Sequence, residues 1–89
     1  MKTATFQWDE ENVEHIARHH VEPFEAEEVL DDDPLILKTS DDRYLAYGQT
    51  DTGRYLLVVF VWKSRHTIRV ITARDLTRAE KSRLRRRRR

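Results

Sequence analysis

The side chains best equipped to act on an anionic substrate crowd the second half of the chain. The stretch IRVITARDLTRAEKSRL, residues 68–84, reads as a buried strand running straight into a helix, yet it carries Arg69 within the strand and Arg74 at its end. A guanidinium keeps its charge at any ordinary pH, and its planar fork matches two phosphate oxygens at once. These arginines therefore have two readings, as solvated edge charges or as a device for holding phosphate. A hairpin centred on Ser64 places Trp62 opposite His66 and Arg54 opposite Arg74. Like charges in direct opposition are destabilising unless an anion sits between them, so this pairing points to a bound phosphate or a carboxylate partner. A slip of one residue in register sends the two arginines to opposite faces.

The same period of two gathers Arg43, Tyr47, Gln49, Tyr55, Thr67 and Arg69 on one sheet face, around Leu45, Leu57, Val59, Val61, Ile71 and Ala73. Guanidinium groups beside tyrosine rings suit single-stranded RNA, where cations meet phosphates and rings stack on bases. The set equally describes a plain amphipathic sheet surface. His15, His19, His20 and His66 are the side chains whose unperturbed titration lies near neutrality, so proton transfer falls most easily to one of them. His15 and His19 have the i, i+4 spacing of helical metal sites, but no cysteine and no suitably offset carboxylate completes a ligand set, and neither a metal nor a cofactor is expected. His20 reads as a half-buried residue at a helix end. His19 is the better candidate acid or base, with capping of the helix C-terminus as its structural alternative.

These residues need elements to position them. TFQW, residues 5–8, alternates as a short strand, and Asp9 follows as the N-cap of a helix running to about His20. Trp8 and Val13 have the spacing of a hydrophobic staple, and Glu10, Glu11 and Glu14 lie near the positive end of the helix dipole. Val13, Ile16, Ala17 and His20 form the expected buried stripe. Pro23 opens a second helix with Ala26, Val29 and Leu30 as its apolar stripe, and Pro34 ends it by forcing Asp33 into an extended conformation. From there the period becomes that of strands: LILKT, RYLAYGQT, RYLLVVFVW and HTIRVITAR, separated by the short reversals SDD, DTG and KSR, predict an antiparallel meander. Thr77 and Glu80 have capping-box spacing for a last helix that runs into the terminal arginines. The expected architecture is α+β, helices layered on a twisted sheet.

Composition sets outer limits. An 89-residue chain with two glycines and two prolines has room for one core, taken as a single domain over residues 1–84 with a basic tail at 85–89. Cysteine is absent, which excludes a disulfide framework and a thiol nucleophile. The N-terminal residues lack the apolar core of a signal peptide, and the run YLLVVFVW is too short to span a bilayer, so a cytoplasmic location without membrane association is the default. The net charge of +1 conceals a strong asymmetry. Residues 1–42 hold 3 basic and 13 acidic side chains, whereas residues 43–89 hold 14 basic and 3 acidic. One half is thus suited to a polyanion or an acidic partner, unless the two halves neutralise each other in the fold.

Taken together, FQWDEENVEHIARHHVEPFEAEEVLDDDP, DDRYLAYGQT, GRYLLVVFVW and IRVITARDLTRAEKSRL resemble the BrnT toxin family of type II toxin–antitoxin systems, in the family's order and up to about residue 84. The resemblance implies a RelE-like fold: an N-terminal strand and two helices packed on a four-stranded antiparallel meander, with a C-terminal helix. It also implies an endoribonuclease that inhibits translation and is neutralised by a BrnA-like antitoxin with a ribbon-helix-helix domain. Two toxins would join two antitoxins in a heterotetramer, which contacts operator DNA through the antitoxin. RHHV stands where the family has a basic-histidine-glycine turn, so Arg18 and His19 carry over while His20 replaces the usual glycine. Arg43, Arg54, Arg69, Thr72 and Arg74 carry over from the later stretches, and the terminal arginines lie outside the pattern, as a disordered tail attracting RNA.

On this basis Arg43 and Arg74 are expected at the phosphate and its transition state, with His19 as acid or base. Arg54, Arg69, Arg65 and Arg18 are expected to bind RNA, and the chemistry needs no metal. Two rival readings are a non-enzymatic basic module that holds an acidic protein or the ribosome, and a toxin of the same fold directed at another target such as gyrase.

Overall fold

The computed structural model describes residues 3–87; Met1, Lys2, Arg88 and Arg89, the last two part of the expected tail, lie outside the described residues. Strand β1 (Thr5–Gln7) leads through Asp9 into helix α1 (Glu10–Ala17), followed by α2 (Pro23–Asp31). Strands β2 (Leu35–Lys38), β3 (Tyr44–Gln49), β4 (Tyr55–Trp62) and β5 (Thr67–Asp75) come next, and α3 (Arg78–Arg87) closes the chain. Arg85, Arg86 and Arg87 are thus the last turn of a helix rather than a disordered tail. Cations suit that end of the helix dipole. Among the described residues, no helix is long and apolar enough to cross a membrane.

The four later strands form the expected meander, but the sheet has a fifth member. Its order is β1-β5-β4-β3-β2, with β1 parallel to β5 and every other pair antiparallel. The molecule is an α+β fold on a mixed five-stranded sheet, so the four-stranded RelE-like description fits it only incompletely. The outer edge of β5 is free to accept a strand, and the long passage through both helices supplies the crossover that parallel pairing requires. Thr5 N begins the added ladder by donating to the His66 carbonyl at 2.6 Å.

Both faces of the sheet are covered. Ile16, Val21, Ala26, Val29 and Leu30 from the α1–α2 region pack on Ala46, Leu56, Val58, Phe60, Ile68, Val70 and Ala73. Each of the larger side chains stabilises the fold by roughly 1.5–3 kcal/mol through its removal from water. On the opposite face Leu76 and Leu84 cover Tyr47 and Leu57, so α3 roofs the thinner apolar strip. Gly48 allows α2 to approach β3: a Cβ there would lie 3.2 Å from Val29 Cγ1 and 3.3 Å from Pro34 Cβ.

Helix α1 departs from its expected stripe. Asn12 and Ile16 are its buried residues, whereas Ala17 and His20 are exposed. The helix stops at Ala17, and His20 turns the chain with φ of 60°. Position 20, where the resemblance leads one to expect glycine, takes a left-handed conformation with a histidine in it, at a cost of about 1–2 kcal/mol. Asn12 completes a capping box with Asp9 and donates through Nδ2 to the carbonyls of Gln7 at 3.0 Å and Val70 at 3.1 Å. It thereby locks α1 to both β1 and β5.

Register decides where the arginines go. Trp62 pairs with Ile68 rather than His66, because the β4–β5 loop closes on the Thr67 carbonyl. A bulge follows: Phe60 pairs with Val70 and Val59 with Thr72, which leaves Ile71 as the extra residue. Beyond the bulge the faces exchange. Ala73 enters the core beneath the helices, and Arg74 pairs with Leu57 on the face roofed by α3. The expected opposition of Arg54 and Arg74 does not form.

Candidate nucleic-acid interface

Arg54 lies between the β3–β4 hairpin and β4, at the end of the sheet where β5 finishes. Its Nε and Nη2 donate to Asp75 Oδ1 and Oδ2 at 2.9 and 3.3 Å, and Nη1 donates to Glu25 Oε1 at 3.1 Å. Nη1 and Nη2 also reach the His20 and His19 carbonyls at 2.7 and 3.3 Å. These bonds hold the strained α1–α2 turn against the sheet. The Arg54 guanidinium holds the Asp75 carboxyl below its usual range, and the Asp75 and Glu25 carboxylates in turn raise the Arg54 pKa. Expected as an RNA contact, Arg54 has its fork filled by protein acceptors.

Arg69 has a similar fate at the other side of the sheet. Beside β1, it donates to Asp9 Oδ2 at 2.7 Å and Glu11 Oε1 at 3.2 Å, at the start of α1. The Arg69 hydrogen bond is the main cause of the lowered Asp9 pKa. Charge asymmetry in the sequence is thus partly resolved within the fold, since acids of the first half meet arginines of the second.

Arg74 is held by Glu80, six residues later. Nη1 and Nη2 donate to Glu80 Oε1 and Oε2 at 2.8 and 3.0 Å, and Nη1 also reaches the Asp75 carbonyl at 3.0 Å. Glu80 Oε1 accepts from the Thr77 backbone N–H as well, and Thr77 Oγ1 accepts from Glu80 N, forming the expected capping box. Arg74 first, then the Thr77 bonds, pull the Glu80 pKa down to about 2. Glu80 is therefore a permanent carboxylate near neutrality and a poor proton acceptor. Its geometry orients Arg74, which stays 39% exposed through its side chain.

The remaining candidates are dispersed. Arg43 is exposed and lies 3.8 Å from Asp41 in the β2–β3 turn, where Asp41 also accepts from Thr39 Oγ1. It precedes Tyr47, which shares a cross-strand row with Leu57 and Arg74, by four residues, or roughly 13 Å along the strand direction. The structure therefore does not join Arg43 and Arg74 into one phosphate clamp. Arg65 is exposed in the β4–β5 turn, far along the sheet from Arg74, and Arg18 is the exposed C-cap of α1. The exposed His19 has its ring centroid 6.2 Å from that of His15, while its carbonyl serves Arg54. Among the described residues, no group of three or more His, Asp or Glu side chains is placed to hold a metal ion.

Two features escape a reading of residue types alone. Glu80 announces itself as a helix cap, and only the bulge at Ile71 brings Arg74 to the face where that cap can bind it. Tyr55, on the same face two residues from Leu57, carries Lys81 Nζ at 5.6 Å and Arg85 Cζ at 5.5 Å from its ring centroid. The open end of this face thus combines a guanidinium, an aromatic ring and two cations, a set able to hold phosphate.

Residues 8–80 match the protein family described as the ribonuclease toxin, BrnT, of type II toxin–antitoxin systems. The chain is also similar to the crystal structure of the Brucella abortus ribonuclease toxin, BrnT. The TM-score is 0.70 at 24% sequence identity, over 85% of this chain and all of that one. No curated protein matches the chain significantly.

Proposed function

Because the chain belongs to the BrnT family of ribonuclease toxins, we propose that it cleaves RNA without a metal and so inhibits translation, with Arg74 as the principal phosphate contact. The match over residues 8–80, which takes in Arg74 and its Glu80 partner, carries this reading. Cleavage proceeds by attack of a ribose 2′ oxygen on the adjacent phosphorus while the bond to the 5′ oxygen breaks. The 2′ proton passes to a base and the leaving 5′ oxygen receives one, which yields a 2′,3′-cyclic phosphate and a free 5′ hydroxyl. Arg74 neutralises charge that builds on the phosphorane oxygens, the kind of stabilisation worth most to such a reaction. His19 is the candidate proton carrier, and Arg43, Arg65 and Arg18 are outlying cations available to a longer strand. Arg54 and Arg69 reach RNA only by exchanging carboxylate partners, so their contribution is secondary.

The toxin acts in the cytoplasm and is held inactive by a BrnA-like ribbon-helix-helix antitoxin, two copies of each forming a heterotetramer that contacts operator DNA through the antitoxin. Purified chain incubated with total RNA in EDTA tests the catalytic reading. Fragments ending in cyclic phosphate are expected, and RNA left intact at high enzyme concentration overturns it. Toxicity on expression, relieved by a ribbon-helix-helix protein encoded beside it, tests the biological reading.

A further inference from the structure

The arginines of the sheet and the cations of α3 differ in one respect. Arg54, Arg69 and Arg74 each have a carboxylate within 3.2 Å. Among the described residues, Lys81 and Arg85 have no such partner within salt-bridge distance. They stand one helical turn apart, so each raises the electrostatic cost of the other. Both are nevertheless held at the same ring, Tyr55, at 5.6 and 5.5 Å from its centroid.

Rigid parts fix this arrangement. Leu84, beside Arg85 in sequence, is buried against the sheet, and the Leu76 N–H donates to the Tyr55 carbonyl at 3.2 Å, tying the start of the α3 connection to the start of β4. Arg74 faces Leu57, so Tyr55 is its diagonal neighbour across the strands, roughly 7–8 Å away between Cα atoms. The family match covers residues 8–80, and Lys81 and Arg85 follow it directly along α3.

We propose that Tyr55, Lys81 and Arg85 form a subsite for a phosphate of single-stranded RNA flanking the phosphate held at Arg74. The inference rests on the ribonuclease reading above and deepens it. Two cations on one ring, neither of them ion-paired among the described residues although Lys81 feels the Asp75 charge at longer range, provide the field for a phosphate, and the half-buried ring offers a stacking surface to the attached base. Binding there extends the grip on the strand without entering the bond-breaking step.

The test measures binding of a fully 2′-O-methylated oligoribonucleotide, which cannot be cleaved, by fluorescence anisotropy across a salt series. Replacing both cations (Lys81→Gln with Arg85→Gln) is expected to weaken binding about tenfold and to reduce the slope of log affinity against log salt by about 0.7, the value for one phosphate on a single strand. Tyr55→Leu should weaken binding about threefold, the scale of a cation–π contact, with Tyr55→Phe restoring it. If the unaltered chain cleaves RNA while the double variant keeps its affinity and slope, the subsite is overturned and the ribonuclease reading stands. An unaltered chain that neither binds nor cleaves RNA overturns both. If the double variant binds RNA normally but loses the antitoxin, the patch is a protein-docking surface and the RNA assignment is wrong.

Discussion

Arg54 and Arg74 look alike in sequence, each at one end of an apolar strand, and the structure gives them different surroundings. Arg54 is 26% exposed and joins Asp75, Glu25 and two carbonyls of the His20 turn, so its loss leaves several polar groups without partners. Arg54→Met is expected to lower unfolding stability by about 2 kcal/mol, read as a lower urea midpoint at unchanged slope. Arg74→Ala should leave a folded protein that cleaves RNA about a hundredfold more slowly, the usual result of removing one charge-stabilising group. A slow Arg54→Met protein of normal stability, or a fully active Arg74→Ala protein, breaks this division of labour. The presence of strand arginines was readable from residue types, but their partners depend on contacts between distant elements. The expected pairing of Arg54 with Arg74 failed because a longer turn and one extra residue, Ile71, moved the register.

Periodicity and capping showed most of the elements, because Asp9, Pro23 and Thr77 mark helix starts through local chemistry that needs no tertiary context. The place of β1 in the sheet was not visible, since a three-residue strand carries no signal of the neighbour it will join. Helix α3 shows how one local signal acquires a wider role: Glu80 caps the helix and also binds Arg74. Its folded pKa of about 2 lies below the ordinary glutamate value of 4.5, so its stabilising contribution is complete above that value and drains away as pH falls towards 2. Urea unfolding measured between pH 2 and 7 should therefore show an acid loss that Glu80→Gln reduces. Asp9 and Asp75, also lowered by arginines, keep part of the slope in that variant. An unchanged acid profile in Glu80→Gln means that the carboxylate does not fasten α3 through Arg74.

At the scale of the whole molecule, the opposed charges of the two sequence halves are only partly cancelled. Arg54 meets Glu25 and Arg69 meets Asp9 and Glu11, which is the internal matching that composition alone left open. Arg85, Arg86 and Arg87 extend the positive charge along α3 beyond the matched domain. A polyanion should sense this local field rather than the net charge of +1, because potentials over a surface follow where charges lie. Ending the chain after Leu84 keeps the buried anchor of α3 and removes Arg85–Arg89. The shortened protein is expected to unfold near the midpoint of the full chain. Its affinity for a non-cleavable single-stranded RNA should fall, with a salt slope smaller by as much as about 3.5 if all five arginines meet phosphates. A slope that stays the same places these arginines away from the bound strand. A smaller slope with an equal reduction for double-stranded DNA would show a general polyanion arm, whereas a loss confined to RNA ties the helix to the groups around Tyr55 and Arg74.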